Sequence, residues 1–212
     1  MKLGLPIFFV VLAATGLAGC ATHLSDHVAK PSCCEKAEPP AAFTDKSLYQ
    51  LDSLWTTDEN GQIKLSDLSG RPQVVAMFFA NCQIACPIIV NDMKRIEAAL
   101  PPVLRGRVGF TLVSCDGTRD TPAALADYRH TRHLPAERWT LLRGRPDDVL
   151  ELAALLGIKY KEDARGQFAH SNVITILNSQ GEIVHQQIGF NQDIHEIVRL
   201  IQQLAANQPG RY

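Results

Sequence analysis

The stretch "QVVAMFFANCQIACPIIVNDMKRIEAAL", Gln73 to Leu100, decides how the chain folds. Its first eight residues, Gln73 to Ala80, form an unbroken apolar, β-branched and aromatic run of strand length, the pattern of a strand covered on both faces. From Ile88 onward, Ile88, Ile89, Met93, Ile96 and Leu100 recur at helical spacing, and Pro87 suits the first helical position. Between strand and helix lies "NCQIACP", Asn81 to Pro87, so two cysteines four residues apart sit on a strand-to-helix turn. Such a pair can close a disulfide, carry redox chemistry or hold a metal.

Working outward, "DENGQ" carries Asn60-Gly61, a strong hairpin signal between two short strand-like pieces, and predicts a β-hairpin at the start of the domain. Downstream the strand-helix alternation continues: strand Val108 to Cys115, helix Thr121 to His130, strand "RWTLLRG", then helix Asp147 to Gly157. Alternation of this kind predicts a parallel sheet covered by helices. The end differs, because "NVITILN" and "EIVHQQIG" read as strands joined through "NSQG" before a last helix, "DIHEIVRLIQQLAA". A β-α-β core followed by a β-β-α unit is an α/β, thioredoxin-like arrangement, here with an N-terminal β-hairpin extension.

The chain has 212 residues, long enough to bury a core without disulfide staples, so its six cysteines ask for a chemical reason. A formal net charge of -1 shows no basic excess, and nucleic acid is not an expected partner. The beginning is different in character: Lys2, then a nearly continuous apolar run from Leu3 to Leu17, then small residues. That run is short for a membrane span and reads as an export signal peptide over residues 1–19. "LAGC", ending at Cys20, resembles the bacterial lipobox, which implies cleavage before Cys20 and its lipidation. Residues 20–47, rich in Pro, Ala and charge without periodicity, read as a lipid-anchored tether, and 48–208 as the folded domain. The expected location is the periplasmic face of a membrane, where unprotected thiols tend to oxidise.

In an open α/β sheet, ligands gather beyond the carboxyl ends of the strands, which is where Cys82 and Cys86 fall. Helix-start amides favour negative charge, so Cys86, next to Pro87, is expected to ionise more readily than a free thiol. Thioredoxin-like exchange usually has two residues between its cysteines, whereas Gln83, Ile84 and Ala85 intervene here and widen the loop enough for an ion. Two thiolates suit Cu(I), and an added imidazole also accommodates Cu(II). His170, in "FAHSNVITIL" just before an apolar strand, is the candidate imidazole, with a surface loop histidine as the alternative. His130, His133, His185 and His195 read as surface residues.

The cysteine pair, "SCDGTRDTP" and "FAHSNVITILNSQGEIV" together resemble the SCO/SenC family of copper-binding assembly factors for cytochrome c oxidase, over about Leu51 to Leu204. The family's C-x-x-x-C-P element matches Cys82, Cys86 and Pro87; its D-x-x-x-D-T-P element matches Asp116, Asp120, Thr121 and Pro122; its distal histidine matches His170. The resemblance implies a periplasmic lipoprotein metallochaperone that binds one copper, Cu(I) or Cu(II), through Cys82, Cys86 and His170. The implied partners are the copper-centre-bearing subunit of the oxidase and other periplasmic copper chaperones or thiol reductants. Other roles stay open: a thiol-disulfide oxidoreductase that keeps the oxidase cysteines reduced, or a copper or redox sensor. The chain departs from the family at Gln83 and Gly117, where proline is common, and both changes are expected to loosen their loops.

Asp120-Thr121-Pro122 reads as a helix start with Asp120 in a capping role, while Asp116 is the carboxylate expected around the metal ligands. Cys115 ends the strand beside the one leading to Cys82 and reads as a buried, inert thiol, the alternative being a third ligand or resolving thiol. On the tether, His23, His27, Cys33 and Cys34 form a possible auxiliary copper cluster, against a plain linker as the alternative.

Overall fold

The computed structural model describes residues 42–162 and 168–207, without the side chains of residues 160–170. The signal peptide, Cys20 and the tether cluster His23, His27, Cys33 and Cys34 lie outside the described residues.

The elements in chain order are β1 (Leu54–Thr57), β2 (Gln62–Lys64), β3 (Gln73–Phe78), α1 (Ala85–Ala99), α2 (Pro102–Arg105), β4 (Gly109–Ser114), α3 (Pro122–Arg132), β5 (Trp139–Arg143), α4 (Pro146–Leu155), β6 (Tyr160–Glu162), β7 (Phe168–His170), β8 (Val173–Leu177), β9 (Ile183–Ile188) and α5 (His195–Ala206). Seven strands form one sheet in the order β2-β1-β5-β4-β3-β8-β9, with β6 and β7 as a separate two-stranded ribbon. β3, β4 and β5 are parallel, and β8 joins β3 antiparallel with Ala76 opposite Ile174.

β3 sits near the middle of this order and is buried along its whole length, which is why its sequence is apolar without alternation. The pleat still divides it. Val74, Ala76 and Phe78 face a core shared with α1, α3 and α5, whereas Val75 and Met77 face a second core built with α4, Trp55 and Tyr49.

Both turn signals hold. Asn60 adopts the left-handed conformation (φ 62°) and the Thr57 amide donates to the Gly61 carbonyl at 2.8 Å, closing β1 onto β2. At Gly181 (φ 81°) a Cβ would lie 2.5 Å from the Tyr49 ring, so the β8-β9 turn needs glycine on both counts. The N-terminal hairpin does not stand apart: β1 pairs with β5 and extends the central sheet. The ribbon β6-β7 was not expected, because two three-residue strands carry too little pattern to separate them from a loop.

Candidate metal centre

β3 delivers the chain to the cysteine turn. The Cys82 amide donates to the Phe79 carbonyl at 3.1 Å, tightening the exit from the strand, and α1 begins at Ala85 with Ile84 as its N-cap residue. Cys86 therefore lies inside the first helical turn and Pro87 occupies the third helical position, where its missing N–H removes a donor the helix cannot use.

Ile84 offers no side-chain cap, and the acceptor at the start of α1 is sulfur: the Cys86 amide donates to Cys82 Sγ at 3.3 Å. Burial pushes the Cys82 thiol up, but the amides of Cys86, Ile84 and Ala85 and the Cys86 thiol outweigh it and hold Cys82 below the ordinary thiol range. Cys86 goes the other way. It is fully buried, and burial followed by the neighbouring Cys82 sulfur pushes its thiol well up, against a hydrogen bond with the Phe79 backbone. The expectation that Cys86 is the readily ionised thiol is thus corrected: a three-residue spacer aims the helix-start amides at the first cysteine. Both cysteines are free of disulfides, and the hydrogen bond between their sulfurs lowers the outer thiol while it raises the inner one.

His170 closes β7, with its backbone opposite Tyr160, and β8 starts three residues later. Because β8 runs antiparallel to β3, residues just before β8 belong to the sheet end at which β3 releases the cysteine turn. The fold thus brings the two cysteines and the backbone of His170 to one end of the sheet, although they are about eighty residues apart in sequence. Among the described residues, no three side chains of His, Cys, Asp or Glu gather as a metal cage, and the cysteine pair supplies two donors.

A family model for SCO1/SenC matches residues 49–206. The chain belongs to the SCO1/SenC family. A Stutzerimonas stutzeri relative named "Putative copper-binding protein" is 24% identical over 144 residues, 66% of this chain and 68% of the relative. The fold resembles that of a SCO1/SenC family lipoprotein from Bacillus anthracis (TM-score 0.66, 22% identity, 72% of this chain and 92% of that one). It also resembles Bradyrhizobium japonicum ScoI with copper bound (TM-score 0.61, 17% identity, 72% and 96%). These likenesses carry the fold, which is the thioredoxin-like α/β fold read from the sequence.

In this SCO1/SenC chain the two aspartates divide their work differently from the sequence reading. The cap of α3 is Thr121, whose hydroxyl accepts from the Ala124 amide at 3.2 Å, with Pro122 opening the helix. Asp120 is free of that duty. Buried at 2% exposure, it accepts the Ala80 amide at 2.9 Å and the Ser114 hydroxyl at 2.5 Å, tying the cysteine turn to the end of β4. Burial is the main reason its carboxyl is raised above the usual range, with those two bonds opposing. Asp116 is engaged within its own loop, accepting from the Arg119 amide at 3.0 Å and from the Arg119 guanidinium.

Gly117 does not loosen that loop. A Cβ there would lie 2.7 Å from the Gly144 carbonyl oxygen, and Arg143 donates to the Gly117 carbonyl, so two backbone segments meet where a proline ring would not fit. Gln83 is exposed, with a long 3.5 Å contact from its amide to the Asn81 carbonyl. Cys115 packs into the second core, on the face of the sheet away from Cys82 and Cys86, and burial pushes its thiol up to about 12. That arrangement agrees with an inert thiol.

The sequence reading passes over Tyr128. Leu125 and Tyr128, one turn apart on α3, face the core that contains both cysteines, and helical spacing alone marks them as packing residues. Tyr128 is 7% exposed and its ring stands 5.0 Å from that of Phe78, the last residue of β3.

Proposed function

We propose that this SCO1/SenC protein is a copper metallochaperone that holds one copper through Cys82, Cys86 and His170 and passes it on for assembly of the binuclear copper centre of cytochrome c oxidase. The observation that carries the proposal is the reduced cysteine pair at the carboxyl end of β3, one sulfur already favoured as thiolate by helix amides. Soft thiolates select Cu(I), and an imidazole from His170 lets the same site keep Cu(II). Cargo must leave as well as enter, and a pair at the end of an open sheet gives a recipient's ligands a side to approach. A copper-bearing ScoI structure and a relative with copper in its name support the choice of metal. The Bacillus anthracis lipoprotein supports an exported chain anchored through lipid on Cys20, with residues 20–47 as tether and 48–208 as the copper domain.

The test is copper titration of the full chain beside Cys82→Ser and His170→Ala. One tightly held copper is expected for the natural sequence, with tight binding lost in both variants; unchanged stoichiometry in both would sink the proposal.

One observation favours a second reading, thiol-disulfide exchange with the oxidase cysteines: the outer thiol is the acidic one and the inner one lies in reach of it. The Cys82 thiolate attacks a partner disulfide, and Cys86 then displaces the second partner sulfur. Two partner thiols leave and a Cys82-Cys86 disulfide remains. This reaction tolerates loss of His170, whereas copper transfer does not.

A further inference from the structure

A single apolar side chain on a surface is ordinary, but large ones gathered around a site mark a surface that another molecule covers. Among the described residues, Ile84, Val103 and Ile188 are the most exposed of the large apolar side chains, at 78%, 78% and 74%. Val103 stands on α2, before β4 begins, at the sheet end where β3 starts. The other two belong to the opposite end, with the cysteines. Ile84 lies between Cys82 and Cys86 in the turn that follows β3, and Ile188 ends β9, opposite Val173 at the start of β8.

In the sheet, β8 lies between β3 and β9. Ile84, beyond the end of β3, and Ile188, at the end of β9, therefore stand on either side of the strand that follows His170, with β3 and β9 two strand spacings, about 10 Å, apart. Both are held on fastened backbone. The Ile84 amide is one of those directed at the Cys82 sulfur, and the Gly189 amide, next to Ile188, donates to the Asn172 carbonyl at 2.9 Å. Two residues further, the Asn191 amide donates to Asp92 at 2.7 Å, tying the chain after Ile188 to the helix that carries Cys86. A surface ordered in advance loses little entropy when a partner covers it.

What covers Ile84 follows from delivery itself. Copper held between Cys82 and Cys86 leaves for another protein only when that protein's own ligands come within bonding distance, and the side chain between the two donors then lies inside the contact. Cu(I) keeps its oxidation state in the exchange. Each Cu–S bond to Cys82 or Cys86 that breaks is replaced by one from a recipient thiolate, and the proton lost by the recipient thiol returns to the freed cysteine.

We propose that Ile84 and Ile188 form the docking ridge for the protein that accepts the copper, a partner presenting paired thiols within an apolar rim. The inference rests on the copper-delivery reading.

The test measures Cu(I) transfer from the loaded full chain to the soluble copper-centre domain of the oxidase, beside release to a small chromophoric chelator that needs no docking. In Ile188→Gln, copper affinity and release to the chelator are expected unchanged, with transfer to the domain about threefold slower. In Ile84→Gln, the ratio of domain transfer to chelator release is expected to fall about tenfold, a ratio that cancels any change in how the turn holds the metal. Ratios equal to the natural protein's in both variants would overturn the inference while leaving copper delivery intact. A natural chain that self-associates, with variants that stay monomeric and transfer at the natural rate, would also overturn it, because the ridge would then join two copies of this chain. A natural chain that binds copper but gives none to the domain would remove the delivery reading, and the inference with it.

Discussion

Two buried polar regions of the molecule are finished to different degrees. At the Asp58–Arg129 pair every group is matched: the guanidinium donates to both carboxylate oxygens and to the carbonyls of Trp139, at 2.9 Å, and Leu134, pinning the β1-β2 turn to α3. At the cysteine turn, Asp120 is held by the Ala80 amide and the Ser114 hydroxyl, while two soft sulfurs, Cys82 and Cys86, lie side by side against an apolar core. A satisfied polar network fixes one conformation, whereas a pair of soft sulfur donors at a strand end is suited to take a metal. The difference separates scaffold from site more sharply than burial does, since both regions are buried.

Substitutions in the two regions should therefore read out differently. The largest effect is expected from Cys86→Ser, which removes a soft donor and should abolish tight copper binding, as measured by metal content after gel filtration, while the metal-free protein keeps its circular dichroism spectrum. Asp58→Ala should do the reverse: it strands the Arg129 guanidinium and should cost about 3 kcal/mol in urea unfolding of the metal-free protein, with copper stoichiometry kept at one. A loss of copper in Asp58→Ala without a loss of stability would erase the contrast.

Asp120→Ala lies between them. It leaves the Ala80 amide and Ser114 hydroxyl unpaired, and should cost about 2 kcal/mol of stability and also weaken copper, because Ala80 stands two residues before Cys82. The two thiols should separate by pH. Alkylation follows the thiolate, and the Cys82 pKa is lowered, so its rate should reach half-maximum at a lower pH than in the unfolded chain, with Cys86 protected throughout. Faster alkylation of Cys86 under native conditions, mapped by mass spectrometry, would contradict the assignment. The smallest effect belongs to Cys115→Ala, expected to cost about 1 kcal/mol of packing and to leave copper affinity unchanged, since its thiol faces the other core.

Much of this was legible in the residues. The apolar run of β3, the Asn60-Gly61 and "NSQG" turns and the helical periods carried the thioredoxin-like fold, because each depends on local pattern alone. The cysteine turn was legible for the same reason. The rest depends on register and distance: the Asp120 bond to Ala80 spans forty residues and exists only because β4 lies beside β3. Which cysteine receives the helix amides turned on α1 starting at Ala85 instead of at Pro87, a shift of two residues that periodicity does not fix. Tyr128 sits at a helical position indistinguishable from packing, and its contact with Phe78 at the end of β3 follows from the tertiary fold alone.

The most direct measurement is X-ray absorption at the copper edge of the loaded full chain and of His170→Ala. The account predicts two sulfur scatterers and one imidazole in the natural protein, and the same two sulfurs without that imidazole in the variant. A natural protein whose copper shows no sulfur pair, or a variant whose imidazole signal persists, would contradict it.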